Sequence, residues 1–113
     1  YIIDLGRDDN YCDNDTLRRS CYWAIGRLAQ TRPQLCLSAR PWLLKGLEDV
    51  DMVCRGMAAW ALAQLPSDLM DAPALRRLAD AGNTAPCELF DGHDIYEKTA
   101  SQIAAEALEG SPQ

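Results

Sequence analysis

An eleven-residue phrase is written twice in this chain, as "RRSCYWAIGRL" at residues 18–28 and as "RGMAAWALAQL" at residues 55–65. A shift of 37 residues places Arg18 on Arg55, Trp23 on Trp60, Ala24 on Ala61, Ile25 on Leu62 and Leu28 on Leu65. A fainter third copy appears at an offset of 43, where Ile103, Ala104, Ala105 and Leu108 fall on Trp60, Ala61, Leu62 and Leu65. Periods of this size mark stacked helical hairpins, each too small to bury its apolar face alone. The phrase recurs because each copy performs the same packing task.

The local signals agree with that reading. Leu17, Cys21, Ala24, Ile25 and Leu28 recur at spacings of three and four, which predicts an amphipathic helix capped at Asn14 or Asp15 and ending near Gln30. Pro33 suits the first turn of a second helix, and Pro41 removes an internal hydrogen bond and kinks or splits it, leaving Leu43, Leu44 and Leu47 to carry the second half inward. A third helix runs from about Met52 to Pro66 with Cys54, Ala58, Ala61, Leu62 and Leu65 as its buried stripe. Asp71 and Pro73 start a short fourth helix that stops at Gly82. "CELF" and "IYEK", separated around Asp91-Gly92, predict a β-hairpin over residues 86–98 with a loop of two or four residues. Thr99 and Gln102 then make the capping-box pattern "TASQ" that opens a last helix, with "SPQ" as a frayed tail.

A chain of 113 residues suits one domain, and 48% hydrophobic with only 7% aromatic residues favours helices over a β-sandwich. Seventeen acidic against eleven basic residues give a net charge of −6, which disfavours nucleic acid and anionic lipid as partners. No apolar run reaches the roughly 18–20 residues that span a bilayer, and no signal-peptide pattern opens the chain, so a cytoplasmic location is expected. The five cysteines are never closer than nine residues, which excludes zinc and redox spacings. Cys21, Cys36 and Cys54 read as small core side chains; Cys12 and Cys87 lie in looser surroundings. The opening "YIIDL" looks like the end of an apolar helix, so the chain reads as an excerpt of a longer protein, able to dimerise through its exposed first repeat.

Residues 39–65, "ARPWLLKGLEDVDMVCRGMAAWALAQL", resemble a complete HEAT repeat. The resemblance rests on the kinking Pro41, Leu43, Leu44 and Leu47, the inter-helix Asp49 and Asp51, then Arg55, Ala58, Ala59, Ala61, Leu62 and Leu65. Cys54, Gly46 and Gly56 depart from the usual pattern. The resemblance implies an all-α, right-handed solenoid of about three repeats, with the small β-hairpin before the last helix. Its units would be a partial first repeat over 1–30, a complete one over 33–65 and a degenerate one over 72–109, in a single domain spanning 1–113. In the last of these, Asp94 and Lys98 either stand in for Asp51 and Arg55 or belong to the hairpin. The arrangement is similar to the bilin-lyase-type branch of HEAT-like proteins, many of them bacterial and without an assigned activity. Arg18 and Arg55 fall at the family's arginine position, which in such repeats usually bridges to the inter-helix aspartates of adjacent repeats, and the resemblance makes Asp49 and Asp51 their expected partners in a structural ladder.

Catalytic signals are weak. His93 is the one histidine; beside Asp94 in the hairpin turn it reads as solvent-facing, and a metal or acid–base role would need convergent partners. HEAT-repeat hydroxylases hold two irons with repeated His-Glu pairs, which one histidine does not supply. "DDNYCDND" at residues 8–15 has Tyr11 and Cys12 where a calcium loop needs oxygen ligands or glycine, so it reads as a solvated loop. No phosphate loop, nucleophile elbow or Cys/His pairing is present, and no metal, cofactor or catalytic activity is expected.

The tryptophans give the sharper expectation. Trp60, with Gly56, Met57 and Gln64, is rotated off the buried stripe of its helix, as Trp23 is with Arg19, Ser20 and Arg27. In a HEAT stack the second helices line the concave surface, so Arg19, Trp23, Arg27, Met57, Trp60 and Gln64 would form a groove for another protein, with the arginines favouring a carboxylate-bearing segment. The competing reading buries both tryptophans under the hairpin, the first helices or further repeats. Trp42, beside Pro41, is a packing residue at the kink. The expected function is a non-catalytic binding or scaffold module. The alternatives are a regulatory or lyase-like subunit acting on a cofactor-bearing enzyme and a structural cap of a longer solenoid.

Overall fold

Proline and aspartate set the boundaries of the elements in the computed structural model, which describes residues 15–65, 70–90 and 92–109. The expected cap at Asn14, the acidic loop with Cys12, the "YIIDL" segment, Pro66 and the tail lie outside the described residues. Helix α1 is Asp15–Ala29, followed by a 3-10 helix Pro33–Ala39 that passes directly into α2, Arg40–Gly46. Pro41 sits in the first turn of α2, where a missing N–H costs nothing, so of the expected kink or split the chain shows a change of helical type at Arg40. Asp51 caps α3, Met52–Ala63, by accepting from the Cys54 N–H at 2.9 Å. Asp71, in the left-handed conformation with φ 60°, caps α4, Ala72–Ala79, through the Ala74 N–H.

Strands β1, Pro86–Phe90, and β2, Ile95–Thr99, form a two-stranded antiparallel hairpin in which Cys87 faces Lys98, Glu88 faces Glu97, Leu89 faces Tyr96 and Phe90 faces Ile95. The loop is therefore the four-residue alternative, with Gly92 at φ 106° supplying a conformation that L side chains rarely adopt. Strand β2 runs straight into α5, Ala100–Glu109. The capping box forms reciprocally there: the Thr99 N–H donates to Gln102 Oε1 at 2.8 Å and the Gln102 N–H to Thr99 Oγ1 at 3.2 Å.

The described chain is thus mostly helical with a small hairpin. The three copies of the phrase lie on α1, α3 and α5, and α3 is the middle helix, packed against both of the others. The 3-10 helix and α2 pack on α1 and α3, and α4 packs on α5. The hairpin lies across α3 and α5.

This central position explains a departure from the expected core. Helix α3 buries not only Cys54, Ala58, Ala61 and Leu62 but also Gly56, Met57, Ala59 and Trp60. A helix apolar on every side is stable only when covered on every side. Gly56 admits the hairpin closely: a Cβ there would stand 2.8 Å from Cys87 Sγ, so the strand packs where the helix has no side chain. Cys87, expected in loose surroundings, is consequently fully buried. In α1 the buried stripe is Cys21, Tyr22, Ile25 and Ala29, whereas Leu17 and Leu28 are exposed. The rotation follows from Tyr22, whose ring packs on Trp42 with centroids 4.5 Å apart. Trp42 thus occupies the packing role expected of it.

Candidate functional site

The six residues expected to line a groove fall into three different environments. Trp60 is only 7% exposed. Its six-membered ring occupies the space beside Gly26 of α1, where a Cβ would stand 2.4 Å away, and glycine is what admits it. On its other side Trp60 shares a cavity of about 200 Å³ with Leu89, Tyr96, Ile103 and Ala107. Met57 is buried in the same core. Gln64 is half-buried and turns its amide back onto the Trp60 carbonyl at 3.1 Å. The bare aromatic strip anticipated from the spacing is therefore absent at Trp60 and Met57: the hairpin and α5 cover that side of α3.

Trp23 and Arg27 remain half-exposed on α1, and both meet the tip of the hairpin. The Trp23 indole Nε1–H donates to the Phe90 carbonyl at 2.8 Å, and the Arg27 guanidinium lies 5.4 Å from the centroid of the Phe90 ring while donating to Gln30 Oε1 at 2.6 Å. This clamp joins residues 67 positions apart and closes the hairpin over the layer of repeated helices. Phe90 is 40% exposed and its cross-strand partner Ile95 is 72% exposed, so the tip carries an apolar pair in contact with solvent.

Arg19 belongs to a different constellation from the one expected. It makes a two-pronged pair with Asp51, Nε to Oδ2 at 2.7 Å and Nη2 to Oδ1 at 2.8 Å. The neighbouring Arg18 does the same with Asp49, at 2.8 and 2.9 Å. Arg55, expected to take one of these aspartates, instead reaches the Asp49 backbone carbonyl and donates to Asn83 Oδ1 at 2.9 Å. Its carboxylate partner is pre-empted because two adjacent arginines of α1 already reach both side chains. A rung nevertheless repeats along the chain: Arg18 grips the segment before α3 through Asp49, and Arg55 grips the segment after α4 through Asn83. Asn83 is the one buried polar residue among those described, and its N–H donates to Ser101 Oγ, which donates in turn to the Leu78 carbonyl, each at 2.9 Å. Sequence reasoning missed Asn83 and Ser101, for which no spacing signal exists. Lys98 lies in β2 and pairs with Glu106, so it is a hairpin residue rather than a third arginine equivalent.

The Arg19 guanidinium, with smaller help from the Cys54 thiol and N–H, holds the Asp51 carboxyl down from 3.8 to about 2 against the opposing effect of burial. A carboxyl lowered on folding stabilises the fold above its unfolded pKa of about 4 and loses that contribution as the pH falls toward 2. Urea midpoints measured across that interval are expected to fall for the wild type and to change less for Asp51→Asn. Half-exposure of Arg19 keeps the effect small.

Burial, reinforced by Asp51, pushes the Cys54 thiol well up, and burial likewise raises Cys36 and Cys87, so none of the three is a ready nucleophile. His93 is exposed in the hairpin turn. No group of three or more His, Cys, Asp or Glu side chains is placed to hold a metal, and no helix is long and apolar enough to cross a membrane, among the described residues.

No curated protein and no solved structure matches the chain. HEAT-like repeats commonly mediate protein–protein interaction and are typically non-catalytic. Residues 15–65, the stretch from α1 to the end of α3 that contains both strong copies of the phrase, match the family model of the HEAT-like repeat.

Proposed function

We propose that the chain is a non-catalytic protein-binding module whose contact surface is the hairpin and the adjoining face of α1, in place of a bare groove between the second helices. In this reading residues 33–65 are one complete repeat, residues 72–109 are a variant repeat enlarged by the hairpin, and the arginine rungs fix their register. The observation that carries it is the solvent-facing Phe90–Ile95 pair, with the Trp23 indole on the Phe90 carbonyl and the Arg27 guanidinium over the Phe90 ring. An apolar pair beside an arginine and an indole has the composition of an interface centre. Arg19 is engaged by Asp51 away from the hairpin tip, and Arg27, which donates to Gln30, is the cation that stands beside Phe90 on this face.

A second reading has its own observation. Val50 is 89% exposed and borders an open groove of about 590 Å³ lined by Tyr22, Trp42 and Lys45. A further helical repeat stacked there would make the chain a cap of a longer solenoid.

One affinity capture from the native host separates the two, using wild type, Ile95→Asp and Val50→Asp at equal folded concentration. Both substitutions sit on exposed side chains and are expected to leave the thermal midpoint within a few degrees. A partner lost with Ile95→Asp and kept with Val50→Asp supports the binding module. The opposite pattern supports the cap, and retention by all three proteins counts against both surfaces.

A further inference from the structure

Alternation along β1 sends Cys87 and Leu89 inward and leaves Pro86, Glu88 and Phe90 outside. Their partners on the outer face are Thr99, Glu97 and Ile95. Two carboxylates, Glu88 and Glu97, therefore stand directly opposite one another beside the apolar Phe90–Ile95 pair. Like charges opposed across two strands destabilise a hairpin. Neither Glu88 nor Glu97 is in an ion pair among the described residues.

The two edges of the hairpin also differ. Each strand has a strand on one side only, and each is met once by a side chain, at the Phe90 carbonyl by the Trp23 indole and at the Thr99 N–H by Gln102; but Cys87 and Leu89 of β1 are buried, whereas Ile95, Tyr96 and Glu97 of β2 are all exposed. An open strand edge offers a row of backbone donors and acceptors to an added strand. On the outer face of that strand, one residue would stand beside the Glu88–Glu97 pair and the residue two positions along beside Phe90–Ile95.

We infer that β2 is a strand-addition site for an extended segment of a partner protein in which a lysine or arginine alternates with an apolar residue. The basic residue offsets a repulsion the hairpin carries alone, and the apolar residue extends the Phe90–Ile95 pair. A second copy of the chain is the poorer occupant, because pairing two β2 edges would bring four carboxylates onto one face of a protein whose net charge is already −6. The inference rests on the reading of the hairpin as the contact surface and names the chemistry of its partner.

The probe is a blocked heptapeptide alternating lysine and valine, compared with the same peptide carrying glutamate for lysine and with one that segregates its lysines and valines into blocks. Titration of the whole chain followed by amide chemical shifts is expected to show saturable changes centred on β2 with the alternating lysine peptide only. Glu97→Lys converts the opposed carboxylates into an opposite-charge pair, so it should raise the thermal midpoint while weakening that peptide at least tenfold. This combination separates lost binding from lost folding. Equal binding of the alternating and segregated lysine peptides would reduce the effect to charge attraction and overturn strand addition, as would affinity unchanged by Glu97→Lys. Absence of β2-centred shifts in a protein that still captures an Ile95-dependent partner would also overturn it, while leaving the binding-module reading in place.

Discussion

Trp60→Ala is expected to cost about 3–5 kcal/mol of stability, seen as a lower urea midpoint with an unchanged slope. The indole fills the space above Gly26 on one side and borders Leu89 and Ile103 on the other. Its removal leaves a void between three elements that cannot collapse together without moving the hairpin. A groove tryptophan would behave differently, losing partner affinity with little change in stability. Trp23→Phe is the informative contrast, since it keeps most of the ring and deletes the N–H that holds the Phe90 carbonyl. Its expected cost is about 1 kcal/mol, concentrated in faster exchange of the hairpin amides.

Asp49→Ala is the second large effect, expected at about 3 kcal/mol. The carboxylate takes two hydrogen bonds from Arg18 and a third from the Asp51 N–H at 2.9 Å. The side chains of Arg18 and Asp49 are only 12% and 9% exposed, so deleting the anion removes a two-pronged carboxylate partner from a guanidinium that is largely withdrawn from water. Replacing Arg18 by methionine in the Asp49→Ala background should restore part of the loss. Equilibrium denaturation of the single and double variants measures that coupling. The pair stabilises its register chiefly because breaking one half is costly, and the Asn83 hub repeats the device with a neutral acceptor.

The architecture was legible where a signal is local. The 37-residue echo placed its copies on adjacent helices, Pro41 marked the change from 3-10 to α geometry, and Thr99 and Gln102 formed the capping box their spacing announced. The site was legible only in part, because its decisive contact is between α1 and a hairpin tip far along the chain. A helical period sorts residues around one axis and does not say how many sides will be covered. The warning lay in composition: Met52–Ala63 has Arg55 as its single charged residue, and a helix so uniformly apolar belongs in the middle of a layer. Gly26 and Gly56 carried the complementary signal, since each marks a point where another element comes too close for a side chain. Arginine partners were less accessible still. Arg18 and Arg19 differ by one position in sequence, and only the approach of the segment before α3 decides that they divide Asp49 and Asp51 between them.

The central claim is that the hairpin closes over the repeated helices and turns their shared face into a covered one. The most direct measurement is of nuclear Overhauser contacts from the two indoles in the intact chain. Contacts from the Trp23 indole N–H to Phe90, and from the Trp60 ring to Gly26 and to Leu89 or Ile103, are the predicted result. A Trp60 ring in contact with Gly26 alone, together with hairpin amides at random-coil shifts, would contradict the claim and return the face of α1 and α3 to solvent.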